Sequence, residues 1–179
     1  GHRIGSGAER AAWMALFRRQ LGEARGRRLL DLASGTGEIA LLCHDLGYRV
    51  TGLDWAEPML DRARAKAKAA GAAVNFVQAD AERTMLPAAS QEVIVTRHLV
   101  WTLVDPAAAF AEWFRVLAPG GRLLVVDGDF VTRGWVGSIL SRLLGMTGCG
   151  VEGGMTRRHA EILSRVHFSS GAKAEEVAE

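Results

Sequence analysis

The 179 residues carry a formal net charge of +2 and are 49% hydrophobic, 23% charged and 7% aromatic. That length suits one compact domain, and the apolar fraction excludes a disordered or collagen-like chain; no stretch approaches the ~18 uncharged apolar residues of a membrane span. The small charge gives no reason to expect nucleic acid or a membrane as partner, and two cysteines, Cys43 and Cys149, form neither a disulfide framework nor a zinc-ligand spacing, so a reducing, cytoplasmic setting is expected.

Gly1 to Ser6 lacks the apolar core of an export signal. Ser6 stands three residues before Glu9, a capping-box pattern, and Trp13, Leu16, Phe17 and Leu21 follow at helical spacing, which predicts a helix from Gly7 to about Ala24. Arg28 to Ala33 is an apolar run bounded by Arg-Gly-Arg and Ser-Gly-Thr-Gly, the pattern of a buried parallel strand. A helix from Glu38 to Leu46, a strand from Arg49 to Leu53 and a helix through Met59 to Ala70 come next, with Pro58 in that helix's first turn and Gly71 as its stop. Strands follow at Val74–Gln78 and Glu92–Thr96, then a helix from Asp105-Pro106 to about Leu117. A sharp turn at Pro119-Gly120-Gly121 leads into a fifth strand, Arg122–Asp127. Strands alternating with helices in this way predict an α/β fold, a doubly wound, mostly parallel sheet with helices on both faces.

Beyond Asp129 the stripe Trp135, Val136, Ile139, Leu140, Leu143, Leu144 predicts an amphipathic helix. A segment holding five glycines, Gly145 to Gly154, then leads to a helix over Thr156–Val166 and the start of another at Ala172.

The chemistry centres on Asp31-Leu-Ala33-Ser34-Gly35-Thr36-Gly37-Glu. A strand that ends in such a turn before a helix lets a ligand approach the backbone, with outward amide groups as in nucleotide sites at helix N-termini. Gly35-Thr-Gly37-Glu-Ile-Ala40 also satisfies the dinucleotide pattern G-x-G-x-x-G/A. Asp54, closing the second strand, fits either reading as an acceptor for ribose hydroxyls, and it also fits an ordinary helix cap.

Taken together, four segments resemble class I S-adenosylmethionine-dependent methyltransferases. Leu30-Asp31 to Gly37 looks like their first motif, D/E-x-x-x-G-x-G, and Val50-Thr-Gly-Leu-Asp54-Trp55-Ala-Glu-Pro-Met59-Leu like the second. Gln78-Ala79-Asp80-Ala81-Glu82 looks like the third, and Leu117-Ala-Pro-Gly-Gly121-Arg-Leu like the turn into strand five. The segment Thr96-Arg97-His98-Leu-Val-Trp101-Thr-Leu-Val-Asp105-Pro106, with Val126-Asp127-Gly128-Asp129, is similar to a bacterial subgroup acting on small molecules.

The resemblance implies a Rossmann-like fold that binds S-adenosylmethionine and methylates a small-molecule acceptor. It implies that Asp31, Ala33, Ser34, Gly35, Thr36 and Gly37 meet the amino-acid end and ribose, and that Asp54 holds the ribose hydroxyls. Trp55 and Met59 would then lie against the adenine, Asp80 and the Ala81 amide would bind its polar edge, and Glu82 and Arg97 would complete the cofactor site. It further implies a division into a helical cap segment (1–25), a cofactor-binding core (26–129) and an acceptor-side lid (130–179). The family sheet closes with a sixth strand and an antiparallel seventh, which the chain as given is expected to lack.

His98 follows strand four at the edge where open α/β sheets bind ligands. It could take a proton from the acceptor, or serve as a structural or pocket-lining histidine. Asp127 and Asp129 read equally as acceptor contacts or turn residues. No metal-ligand spacing and no G-x-S-x-G nucleophile turn occurs. Two other functions stay open on the residues: a nicotinamide-dependent oxidoreductase, which would lack a Tyr-x-x-x-Lys pair because Tyr48 is the only tyrosine, and a non-catalytic nucleotide-binding domain.

Overall fold

The computed structural model describes residue 4 and residues 6–127. They fall into two units: one comprises residues up to Arg97 together with Ala107–Val126, the other His98–Pro106 and Asp127. The amphipathic stripe from Trp135, the glycine-dense segment, the two last helices and Asp129 lie outside the described residues.

The first unit is a five-stranded, all-parallel sheet. In chain order it runs α1 (Gly7–Leu21), β1 (Arg28–Leu32), α2 (Glu38–Asp45), β2 (Arg49–Asp54), α3 (Glu57–Ala70), β3 (Asn75–Gln78), β4 (Gln91–Arg97), α4 (Pro106–Val116) and β5 (Leu117–Val126). The strand order is β3-β2-β1-β4-β5, so the chain works outward from β1 to one edge, then returns to β4 on the other side. That reversal beside β1 is the topological switch point at which such sheets take ligands.

Ser6 caps α1 as its pattern predicts, its Oγ accepting the Glu9 N–H at 3.1 Å. The helix ends at Leu21, three residues short of the predicted Ala24. Gly22 takes φ +75, and the Arg27 guanidinium reaches back to the Leu21 carbonyl (2.6 Å) and the Glu23 carbonyl (2.7 Å). Phe17 and Leu21 bury the inner face of α1 in one core that also holds Leu29, Ile39, Tyr48 and Val50 and is shared by α2, α3 and the sheet.

The remaining bounds shift by one or two residues, except in β5. That strand begins at Leu117 and runs through the predicted Pro119-Gly120-Gly121 turn. Gln91 faces Leu117 and Val93 faces Arg122, so four residues of β5 stand against one of β4. The turn is therefore a bulge inside the strand, with Gly120 at φ +74.

In the second unit, a single 3₁₀ turn spans Val100–Thr102. The Asp127 carboxylate accepts the Val100 N–H at 2.7 Å, which ties the two chain segments of that unit together.

Candidate functional site

Parallel pairing brings the ends of β1 to β4 to a common edge. Asp31 is level with Gly52 and Val95, and Asp54 is level with Gln78. Most candidate groups of the first unit therefore sit where a strand gives way to its loop, while Met59 lies in the first turn of α3.

The turn after β1 is held from several sides. Ser34 N–H donates to the Leu53 carbonyl (2.9 Å), Gly37 N–H to the Ser34 carbonyl (2.8 Å) and Gly35 N–H to Asp54 Oδ2 (2.7 Å). This corrects the expectation of a row of outward amides: three of the turn's donors are satisfied internally, because a half-buried amide is costly to leave unpaired. What the turn offers outward is space. A Cβ built on Gly35 meets nothing within 4 Å, and its φ of +53 favours glycine. Gly37 differs: a Cβ there lies 3.1 Å from Ala63 Cβ and from the Phe76 ring, so its small size serves packing of α3 and β3 against α2. Ala33 also holds a left-handed φ, +54, a conformation costing an L-residue about 1 kcal/mol.

Asp54 fulfils the helix-cap reading given above. Oδ2 clasps the Gly35 amide while Oδ1 accepts the Ala56 N–H at 2.9 Å, capping the approach to α3. Each oxygen keeps a second lone pair for another donor. Beside it, Trp55 is 76% exposed and Met59 36% exposed, apolar surface at the site edge. Gln78 Nε2 donates to the Trp55 carbonyl at 3.0 Å, fixing the ends of β2 and β3 together.

Asp31 is the buried member, 1% exposed, with Oδ2 unpartnered among the described residues. Burial pushes its carboxyl up to about 8, against the lowering effects of the Ala40 amide and the Arg97 guanidinium; the Asp54 charge raises it further. The Ser34 hydroxyl is likewise buried without a partner among the described residues.

Asp80 is exposed and shapes its own turn, Oδ1 accepting the Glu82 N–H at 2.9 Å. Ala81 is buried; its carbonyl takes the Trp113 indole N–H at 2.7 Å, fixing that loop to α4. Arg97 lies with its guanidinium 5.5 Å from the Trp13 ring centroid, a cation–π contact.

In the second unit, His98 has φ +62, and its Nδ1 lies 4.0 Å from Asp127 Oδ1. A non-glycine residue held in that region is strained, a feature that clusters at functional sites.

Two residues beside the site were not among its sequence candidates. Lys66, from the middle of α3, donates to Thr36 Oγ1 at 2.8 Å and pairs with Glu38, so it braces the turn against α3. Trp13 supplies the face for Arg97. Neither lies in a motif, and only the buried side of each helix gave a signal. Among the described residues no group of three or more His, Cys, Asp or Glu could hold a metal ion.

The chain matches the model of a methyltransferase domain family over residues 30–125. It is 41% identical over 107 residues to the demethylmenaquinone methyltransferase of Thermus thermophilus, covering 59% of this chain and 49% of that protein. It is 38% identical over 99 residues to the malonyl-[acyl-carrier protein] O-methyltransferase of Serratia marcescens, covering 55% of this chain and 37% of that protein. Among solved structures it resembles an S-adenosylmethionine-dependent methyltransferase from Mesorhizobium loti, with TM-score 0.57 and 33% identity, covering 64% of this chain and 52% of that one. The chain thus spans about half the length, or less, of these relatives. The matched residues run from β1 through β5 and contain the clasped turn, Asp54, the Asp80 loop and Arg97, and on that match the chain belongs to the methyltransferase domain family.

Proposed function

We propose that the protein is an S-adenosylmethionine-dependent methyltransferase acting on a small-molecule acceptor by in-line transfer. The observation that carries this reading is the open space over Gly35 beside the Asp54 carboxylate, within the residues that match the methyltransferase domain. The residues suit the cofactor. A cationic, amphiphilic nucleoside would meet the Asp54 and Asp80 carboxylates, an exposed aromatic face at Trp55, and backbone without a side chain at Gly35.

When bound, S-adenosylmethionine supplies a methyl group on a positively charged sulfur. Asp54 would accept ribose hydroxyls through its remaining lone pairs, with Trp55 and Met59 against the adenine. Asp80, the Ala81 amide and Glu82 would read the polar edge of the base. The turn from Asp31 to Gly37, with Arg97, would hold the amino-acid end. Holding nucleophile and methyl in line supplies roughly 7–11 kcal/mol of such a barrier, so positioning is the main task. Where the acceptor atom carries a proton, His98 is the base, its ring faced by Asp127.

Of the named relatives, one is a demethylmenaquinone methyltransferase and the other a malonyl-[acyl-carrier protein] O-methyltransferase, and the first supports a small-molecule acceptor. A cytoplasmic setting belongs to the same reading: Cys43 is a free thiol, and no described helix is long and apolar enough to cross a membrane. The segmentation into cap, core and lid is likewise part of the proposal. Incubation with methyl-labelled S-adenosylmethionine and two acceptors, a demethylated quinol and a malonyl thioester, tests it. Label in either acceptor supports the reading; cofactor binding without transfer to any small molecule would reduce it to a binding domain.

A further inference from the structure

We infer that Asp31 is a proton-linked charge sensor for the cofactor, holding its carboxyl proton in the ligand-free protein and releasing it when a cationic ligand occupies the site. This rests on the reading above and adds to it a linked proton.

Four groups face Asp31 from the elements packed around it. The Ala40 amide and the Cys43 thiol come from α2, the Asp54 carboxylate from the end of β2, and the Arg97 guanidinium from the end of β4. The amide and the guanidinium favour a carboxylate, and Asp54 opposes one. Water takes almost no part, because the side chain is 1% exposed and Oδ2 has no partner among the described residues. Loss of solvation outweighs the favourable contacts, and the proton stays on at neutral pH, consistent with a carboxyl raised to about 8.

This arrangement determines the sign of the response. Ligand binding ordinarily acts on a carboxyl in two opposed ways, by removing water and by bringing charge. Asp31 has no water left to lose, so the remaining influence is the ligand's charge. The ligand's sulfonium and ammonium favour the Asp31 carboxylate and its own carboxylate opposes it, so its net single positive charge sets the sign. The O–H bond then breaks with its electron pair staying on oxygen, and the proton passes to the buffer. By linkage, affinity for the cation rises with pH over the interval in which the proton is released.

Calorimetric titration of the protein with S-adenosylmethionine at pH 7, in two buffers of different ionisation enthalpy, reads the proton directly. The ligand's own amino group also titrates, so the deciding quantity is the difference between the wild type and Asp31→Asn, which keeps an acceptor for Ala40. The wild type should release close to one proton more than the variant, and its affinity should climb up to tenfold per pH unit between pH 6 and 8. Equal release from both would overturn the inference, whereas no binding to the wild type would overturn the proposed function instead. If the variant does not fold, the urea midpoint of the wild type decides. It should fall as pH rises from 5 to 8, and a flat profile would overturn the inference.

Discussion

Asp54 connects the cofactor reading to the architecture, since one carboxylate clasps the Gly35 amide and the Ala56 amide. Asp54→Ala should therefore do two things. Loss of a charged acceptor, about 1.5–3 kcal/mol, should weaken S-adenosylmethionine binding at least tenfold, and the two released amides should lower stability by about 1–2 kcal/mol. Calorimetry and urea unfolding measure the two effects separately; an unchanged dissociation constant in folded protein would remove Asp54 from the site. The neighbouring glycines separate the same way. Gly35→Val should abolish binding, since its side chain would fill open space at a φ of +53. Gly37→Ala should mainly destabilise, because its Cβ would press on Ala63 and Phe76. Near-native affinity in Gly35→Val would contradict the cradle. The candidate residues were singled out because they lie in motifs of fixed spacing. The inward pairing of the turn's amides was not, because it depends on where β2 ends in space, as does the brace from Lys66.

At the scale of elements, α1 depends on a residue outside it. Arg27 donates to the Leu21 and Glu23 carbonyls and stands 5.5 Å from the Tyr48 ring centroid, while Tyr48 Oη donates to the Gly22 carbonyl at 3.0 Å. A cation at unpaired carbonyls of a helix C-terminus satisfies them and complements the helix dipole. We expect Arg27→Ala to cost about 1–3 kcal/mol and to increase amide exchange at the end of α1, measured by hydrogen exchange; unchanged protection there would show that the helix end is held otherwise. Strand and helix identities were legible from period and punctuation: Ser6 before α1, Pro58 in the first turn of α3, Gly71 after it. Ends were less legible where a distant group decides them. Arg27 closes α1 three residues early, and pairing with β4 carries β5 back through Pro119. The 3₁₀ turn at Val100–Thr102 had no periodic signal, being too short to show one.

For the molecule as a whole, stability should depend on pH through two carboxyls of opposite tendency. Glu112 is lowered to about 2, chiefly by the Arg115 guanidinium and also by the Thr84 hydroxyl and amide, which link α4 to the loop after β3. Its contribution is fully present above the ordinary carboxylate range and is lost as pH falls through about 2. Asp31 acts in the other direction: the native state keeps a proton that the unfolded chain gives up, so stability declines as pH rises from about 4 to about 8. Urea unfolding across pH 2–9 should place the maximum on the acid side of neutrality. Glu112→Gln should cost about 1–3 kcal/mol at pH 5 and converge on the wild type near pH 2; a constant gap across that range would exclude the ionised Glu112 network as its source.

The doubly wound sheet and its parallel order follow from alternating elements, and four spaced motifs mark the edge where a ligand belongs. The acceptor side stayed illegible because neither residues 1–25 nor residues 128–170 carry a motif that names an acceptor. The central claim concerns the cofactor, so the most direct measurement is calorimetric titration of the purified protein with S-adenosylmethionine and, separately, with NAD. The account predicts saturable one-to-one binding of S-adenosylmethionine, lost in Gly35→Val, and no binding of NAD; saturable binding of NAD with none of S-adenosylmethionine would contradict it.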